Sequence, residues 1–240
     1  MSEDILSPTI SVVVNNYNYD QFIAEALDSV LPQLQGNDEV VVVDDGSTDG
    51  SLDILRRYER EKGIVLVAKA NGGQVSAVRC GLERATADLE VLLDADDCLL
   101  DGYLARLRKI YTQHADIAYV FAKPECGGPD AQMQVRAAAS LRRTELEPGS
   151  IGPTRWSTTL FREFAGAPTS GNSLRRDLAM KIVGLPGELE QSARIHPLLA
   201  RLLGISAAEA QDSRINADGM IVRAASLLGA LKYYDDRPGF

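Results

Sequence analysis

The chain has 240 residues, 45% of them apolar and 25% charged. This is the balance of an ordinary globular domain, and a domain of that length buries roughly three-quarters of its unfolded surface without disulfides or a structural metal. The composition excludes a disordered tail, a collagen-like repeat and a disulfide scaffold, and a net charge of −9 argues against a nucleic-acid partner.

Thr9 to Val14 is a β-branched run that empties into the polar cluster Asn15-Asn16-Tyr17-Asn18, the pattern of a buried parallel strand. Phe22, Ile23, Ala26, Leu27, Val30 and Leu31 recur at helical spacing, and Pro32 falls near that helix's end. Val40 to Val43 predicts a second strand, which ends in the turn cluster Asp44-Asp45-Gly46-Ser47-Thr48-Asp49-Gly50. Leu52, Ile54, Leu55 and Tyr58 predict the next helix, closed by Gly63, and Ile64 to Val67 a third strand leading to Asn71-Gly72-Gly73. Val75, Val78, Leu82 and Ala85 mark another helix, and Leu89 to Leu93 a fourth strand ending in Asp94-Ala95-Asp96-Asp97. A helical stripe at Leu104, Leu107, Ile110 and Tyr111 and a strand at Ile117 to Phe121 complete five βα units. That alternation predicts a doubly wound, mostly parallel α/β sheet with helices on both faces, and ligands bind at the carboxyl edge of such sheets. Residues 123–153 lack a clean period and read as a loop or hairpin. Residues 155–183 and 196–204 read as helical, so a helical C-terminal portion is expected to pack onto the sheet within one domain over 1–240. In that reading residues 1–125 are the ligand-binding half.

Three clusters at strand ends carry the candidate chemistry. Asp44-Asp45 at a ligand edge serves either as a capped strand-to-helix turn or as a pair of ligand-facing carboxylates. The carboxylates of Asp94, Asp96 and Asp97 repel one another, and a hard divalent cation, Mg²⁺ or Mn²⁺, relieves such repulsion and can bridge a diphosphate. The alternative is a solvated turn capping the helix near Tyr103. Asn71-Gly72-Gly73, with Lys69 before it, allows close backbone approach to an anion at a helix start. No GxGxxG follows the first strand and there is no GxxxxGK[ST], which argues against a dinucleotide fold and a P-loop. His114 and His196 show no metal-ligand spacing, and Cys80, Cys98 and Cys126 contain no CxxC pair, in keeping with reduced thiols. No apolar run approaches the ~18–20 residues that span a bilayer, and Met-Ser-Glu-Asp at the N-terminus lacks the regions of a secretory signal. A cytoplasmic location with no integral membrane segment is therefore expected.

In order, Ile10 to Asn18, Glu25 to Val30, Val41 to Asp49, Asn71 to Gly73 and Leu93 to Asp97 resemble the inverting family-two glycosyltransferases of GT-A fold, closely over residues 8–125. A weaker second match is Pro168-Thr169-Ser170-Gly171-Asn172 followed by Arg175-Arg176. The resemblance implies transfer of a sugar from a nucleotide-diphosphate sugar, UDP-linked above all, to an acceptor hydroxyl, with Mn²⁺ or Mg²⁺ as cofactor. Asn15, Asn16 and Tyr17 would line the nucleotide, and Asp45 would bond the base. Lys69, Asn71, Gly72 and Gly73 would face the donor. Asp94 and Asp96 would form the DxD pair, with Asp96 on the metal. Thr169, Ser170, Gly171 and Asn172 would frame the acceptor, whose identity is open; synthesis of a surface polysaccharide or glycoconjugate is one setting.

Two departures stand out. The first loop reads Asn15-Asn-Tyr-Asn18 where the family usually has Pro-Thr-Tyr-Asn, and Arg194 falls where the family places its general base, although arginine cannot take a proton. Glu190 is the expected substitute, ahead of Glu188. A homologue that binds a nucleotide-sugar without turnover is the alternative that Arg194 motivates. A nucleotidyltransferase is a third reading, which lacks the basic glycine loop such enzymes need after the first strand. The stretches Leu198 to Leu203 and Ile221 to Leu231 read as amphipathic helices making core or homodimer contacts.

Overall fold

β-branched runs and amphipathic helices alternate through the first half of the chain as their periodicity predicts. The computed structural model describes residues 7–125, 148–153, 169–185 and 217–240. β1 (Ile10–Asn16), α1 (Ile23–Val30) and a 3-10 turn (Leu31–Gln33) lead into β2 (Glu39–Asp44), α2 (Ser51–Lys62) and β3 (Val65–Ala68). α3 (Gln74–Arg84), β4 (Leu89–Asp94), α4 (Tyr103–Gln113) and β5 (Tyr119–Lys123) follow. Beyond these lie β6 (Gly149–Pro153), β7 (Asn172–Arg175), α5 (Arg176–Val183), α6 (Ala217–Leu227) and β8 (Leu231–Pro238). Pro32 sits in the 3-10 turn that ends α1, and Gly63 closes α2 at φ 72°, the left-handed stop that glycine tolerates best.

The described strands form one sheet in the order β3-β2-β1-β4-β7-β5-β8-β6. β1 to β4 pair in parallel, so the four carboxyl ends and their polar loops share one edge. β7 enters between β4 and β5, antiparallel to both. β8 then runs parallel to β5, and β6 antiparallel to β8. Two expectations are corrected here. Among the described residues of the stretch read as helical over 155–183, Asn172–Arg175 form a strand and Arg176–Val183 a helix. Leu231, expected inside a helix, opens β8. The described C-terminal residues thus build the sheet as well as covering it, because β7 finds its hydrogen bonds in the gap between β4 and β5 rather than in a local helix. The segments 186–200 and 201–216, which hold Pro186-Gly187, His196 and the 196–204 helix expectation, lie outside the described residues.

Alternation along β1 divides the core. Ile10, Val12 and Val14 face α1, α2 and α4, whereas Val13 faces α3, α5 and α6 beside Val41, Leu92, Leu174 and Ile221. Gly81 lets α3 approach most closely: a methyl there would lie 2.3 Å from Val13 Cγ1. That contact fixes α3 against the sheet and aims its first turn at the carboxyl edge.

At the opposite edge Glu90 is fully buried in β4 and accepts a 2.5 Å bond from Arg176 at the start of α5. Burial outweighs the guanidinium and raises this carboxyl from 4.5 to about 7. The folded protein therefore keeps a proton that the unfolded chain releases, so the stability linked to this group is complete below pH 4.5 and is lost as the pH climbs through 7. Glu90→Gln keeps the shape and removes the buried charge. Urea unfolding at pH 5 and pH 8 is expected to show wild type losing stability across that interval and the variant losing measurably less.

Candidate active site

The strand register assembles the site. Asn16 stands opposite Asp44 and Asn15 opposite Asp94, so the ends of the first, second and fourth strands lie side by side. Asp44 is buried and turned inward: its carboxylate accepts Asn16 Nδ2 at 2.8 Å, Ser47 Oγ at 2.6 Å and Ser47 N at 3.1 Å. It holds the β2–α2 turn together. The loop after β1 is clasped onto the same turn. Asn18 Oδ1 accepts Thr48 N at 2.8 Å, Asp49 Oδ2 accepts Asp20 N at 3.0 Å, and Asp20 Oδ2 accepts Gly50 N at 3.1 Å. Asp49 Oδ1 also accepts Ser51 N at 3.0 Å, one residue ahead of Gly50, the N-cap of α2.

Asp45, also buried, points toward the third loop. It accepts Gly73 N at 2.7 Å and Gly72 N at 3.0 Å, and it pairs with Lys69 Nζ. The anion expected at the start of α3 is thus supplied by the chain's own carboxylate. Gly46, at φ 78°, makes room for this approach, since a Cβ there would sit 2.8 Å from Asn71 N. Lys69, Gly72 and Gly73 therefore converge on Asp45 while the Asn71 backbone lies against Gly46, with Asn71 to Gly73 exposed at the edge.

The acidic turn lies on the other side of α3. Asp94 Oδ1 accepts Gln74 Nε2 at 3.0 Å, and the same amide reaches Thr169 Oγ1 at 3.3 Å. Asp94 N donates to Ser170 Oγ at 2.9 Å, while that hydroxyl donates to Asp97 Oδ2 at 2.5 Å. Asp96 is exposed at the tip. Among the described residues neither Asp96 nor Asp97 has a lysine or arginine partner, unlike Asp38, Asp45, Glu90 and Asp235. Burial pushes the Asp97 carboxyl up, the Ser170 bond pulls it back and the Asp96 charge pushes it up again. The charge of Asp96 is also the largest of the influences that raise the Tyr19 phenol, ahead of burial and Asp94. Tyr17, Tyr19 and Phe22, all exposed, line the rim of the same edge.

The 169–172 segment is buried and internally bonded. Thr169, Ser170 and Asn172 are fully enclosed; Asn172 accepts the Tyr119 hydroxyl and donates to Thr169 O at 3.3 Å. Gly171 sits at φ 83°, where a Cβ would strike the Phe240 ring at 2.1 Å. These side chains prop the acidic turn from behind. Glu188, Glu190 and Arg194 lie outside the described residues. Gln74 and the Asn18–Thr48 clasp are the elements that motif reading passed over. A long neutral donor directly after Gly-Gly at a helix start was the available signal for Gln74.

Hard oxygen donors in this turn fit a divalent cation of the Mg²⁺ or Mn²⁺ type. Among the described residues no group of three or more His, Cys, Asp or Glu side chains converges on one point.

An open, mostly parallel sheet with carboxylate clusters at the ends of its second and fourth strands is a fold of GT-A type. The family model described as glycosyl transferase family 2 matches residues 11–171, and the chain belongs to that family. An uncharacterized glycosyltransferase of Nostoc sp. is 29% identical over 225 residues, covering 93% of this chain and 61% of that protein. Glycosyltransferase GlyA of Streptococcus pneumoniae is 34% identical over 116 residues, 48% of this chain and 17% of its own length. Among solved structures, S. aureus TarS 1-349 in complex with UDP-GlcNAc superposes with a TM-score of 0.61 at 20% identity, covering 96% of this chain and 57% of that one. The mannosyltransferase PcManGT of Pyrobaculum calidifontis, in complex with GDP-Man and Mn²⁺, gives 0.58 at 20% identity, covering 97% and 56%. The chain thus spans about three-fifths or less of each of these relatives. Among the described residues no helix is long and apolar enough to cross a membrane.

Removing the Asp45 carboxylate leaves Lys69 and two backbone N–H groups without their acceptor. Asp45→Ala is expected to cost about 1–2 kcal/mol in urea unfolding. It should also speed hydrogen exchange at the Gly72 and Gly73 amides; unchanged exchange there would contradict the bonding just described.

Proposed function

We propose that the protein transfers a sugar from a nucleoside diphosphate sugar, UDP-linked in the first instance, to an acceptor hydroxyl with inversion at the anomeric carbon. The observation that carries this reading is the acidic turn Asp94–Asp97. Its carboxylates sit at the carboxyl edge of the parallel strands, braced by the uncharged Gln74 and Ser170 and separated from the Asp45 loop by one helix start. Asn15 Oδ1 and Asn16 Oδ1 add support, being buried acceptors with no donor among the described residues, since a ligand N–H or O–H is what such atoms lack.

In this reading Asp45, Lys69 and the loop Asn71 to Gly73 bind the nucleoside end, with Asn15, Asn16 and Tyr17 closing over it. Asp96, with Asp94 beside it, would hold Mn²⁺ or Mg²⁺. The cation neutralises negative charge on the departing diphosphate when bound. The chain's own part is to fix the donor between the two carboxylate groups and to exclude water with the aromatic rim of Tyr17, Tyr19 and Phe22. The segment Thr169 to Asn172 acts on the acceptor side by bracing the turn from within. The proton of the acceptor hydroxyl passes to Glu190, which takes the base role because Arg194 cannot.

Calorimetric titration of UDP with and without Mn²⁺ tests the donor site. Wild type is expected to bind UDP only with the metal, and Asp96→Ala to lose that binding. Binding indifferent to Mn²⁺, or retained in the variant, would falsify the assignment of Asp96. For the base, Glu190→Gln should keep UDP binding while turnover falls about 100- to 10,000-fold; a variant with wild-type turnover sinks the role given to Glu190.

A further inference from the structure

We infer that Gln74 is a positioning residue for the cation site: its side-chain amide holds the Asp94 carboxylate in place while contributing no charge to the acidic turn. The inference rests on the donor-site reading above and assigns a role to a residue outside the recognised motifs. Gln74 is the first residue of α3, directly after Gly73. The backbone N–H groups of Gly72 and Gly73 are bound to Asp45, which fixes where the helix starts. From that fixed start the side chain reaches Asp94 Oδ1 at 3.0 Å and Thr169 Oγ1 at 3.3 Å. Thr169 is fully buried, so the amide is anchored at its far end as well. The helix behind it cannot slide, because Gly81 leaves α3 no slack against Val13.

The chemistry of the side chain matters as much as its reach. A lysine or arginine at this position would neutralise Asp94 and compete with a divalent cation for it. An apolar residue would remove the donor that Asp94 Oδ1 accepts and the link from that oxygen to Thr169. The primary amide orients one carboxylate oxygen and leaves the net charge of the turn for the cation. Groups that orient a metal-ligating carboxylate in this way typically change metal affinity by about 10–100-fold when removed.

The test is Mn²⁺ affinity at saturating UDP, read from the electron paramagnetic resonance of free Mn²⁺, with thermal melting of each variant alongside. Gln74→Met keeps the length and loses the donor, and is expected to weaken Mn²⁺ about tenfold with little change in melting temperature. Gln74→Asn retains the amide one methylene short of both partners and should weaken Mn²⁺ similarly, which keeps the test open if the methionine variant misfolds. Gln74→Lys should lose the UDP-dependent Mn²⁺ binding altogether. Wild-type Mn²⁺ affinity in folded Met or Asn variants, or full binding in the lysine variant, overturns the inference and leaves the donor site intact. Absence of UDP-dependent Mn²⁺ binding in wild type overturns the donor-site reading and the inference with it.

Discussion

The register of β1 between β2 and β4 places Asn16 opposite Asp44 and Asn15 opposite Asp94, and the polar groups of the site fall into place from that alignment. A slip of one residue would send Val13 to the α1 face and Val12 and Val14 to the α3 face, exchanging every buried contact of the strand. The register is therefore set by apolar packing in the body of the sheet, while its consequence appears at the polar edge. Adjacent asparagines at the end of β1 lie on opposite faces of the sheet: Asn16 turns to Asp44, and Asn15 stands level with Asp94.

Charge at this edge is handled in two different ways. Around β2, Asp44 is satisfied by an asparagine and a serine, and Asp45 by Lys69 with two backbone N–H groups. Both carboxylates are buried, and leaving either without partners in a low-dielectric setting would be costly. Around β4 the carboxylates become progressively more exposed toward Asp96, and the groups that brace them are an amide and a hydroxyl. The first cluster is internally complete as a folding element. In the second, among the described residues, no lysine or arginine pairs with Asp96 or Asp97. Lys69 reaches the first pair from beyond β3, whereas Gln74, ahead of β4, and Ser170, far after it, bond the second.

The first four strands, their helices and the three polar clusters are legible in the sequence because each strand is an apolar run and each cluster follows one closely. The antiparallel β7 is not. Asn172-Ser-Leu-Arg175 has one apolar residue in four, and its hydrogen bonds come from β4 and β5, far away in the chain. Its polar side chains are tolerated inside because Asn172 is bonded to the Tyr119 hydroxyl and Ser173 to the Tyr111 hydroxyl, and no periodicity announces such a pairing. β8 is hidden for a related reason: Leu231-Lys-Tyr-Tyr-Asp-Asp-Arg-Pro238 buries Lys232 and Asp235, so its charges read as surface although two of them point inward. At the site itself, motif spacing locates Asp45 and the glycine loop separately, but only the folded chain shows that they bond each other. The same holds for Ser170, whose hydroxyl the folded chain places between Asp94 N and Asp97.

One helix start links the two carboxylate clusters. Gly73 presents its N–H to Asp45, and the next residue extends its side chain to Asp94. The separation between the two clusters is thus set by a single peptide unit at the head of a helix that is locked to the sheet through Gly81. The spacing between the clusters is defined by rigid elements, the arrangement that holds a binding constellation to tight tolerance. The β1–α1 loop supplies the rim. Its backbone is clasped to the β2–α2 turn at Asn18 and Asp20, yet the rings of Tyr17 and Tyr19 stand in solvent. Tyr19 also packs its ring against Phe22 and bonds Asp96, so the rim is tied to the acidic turn beneath it.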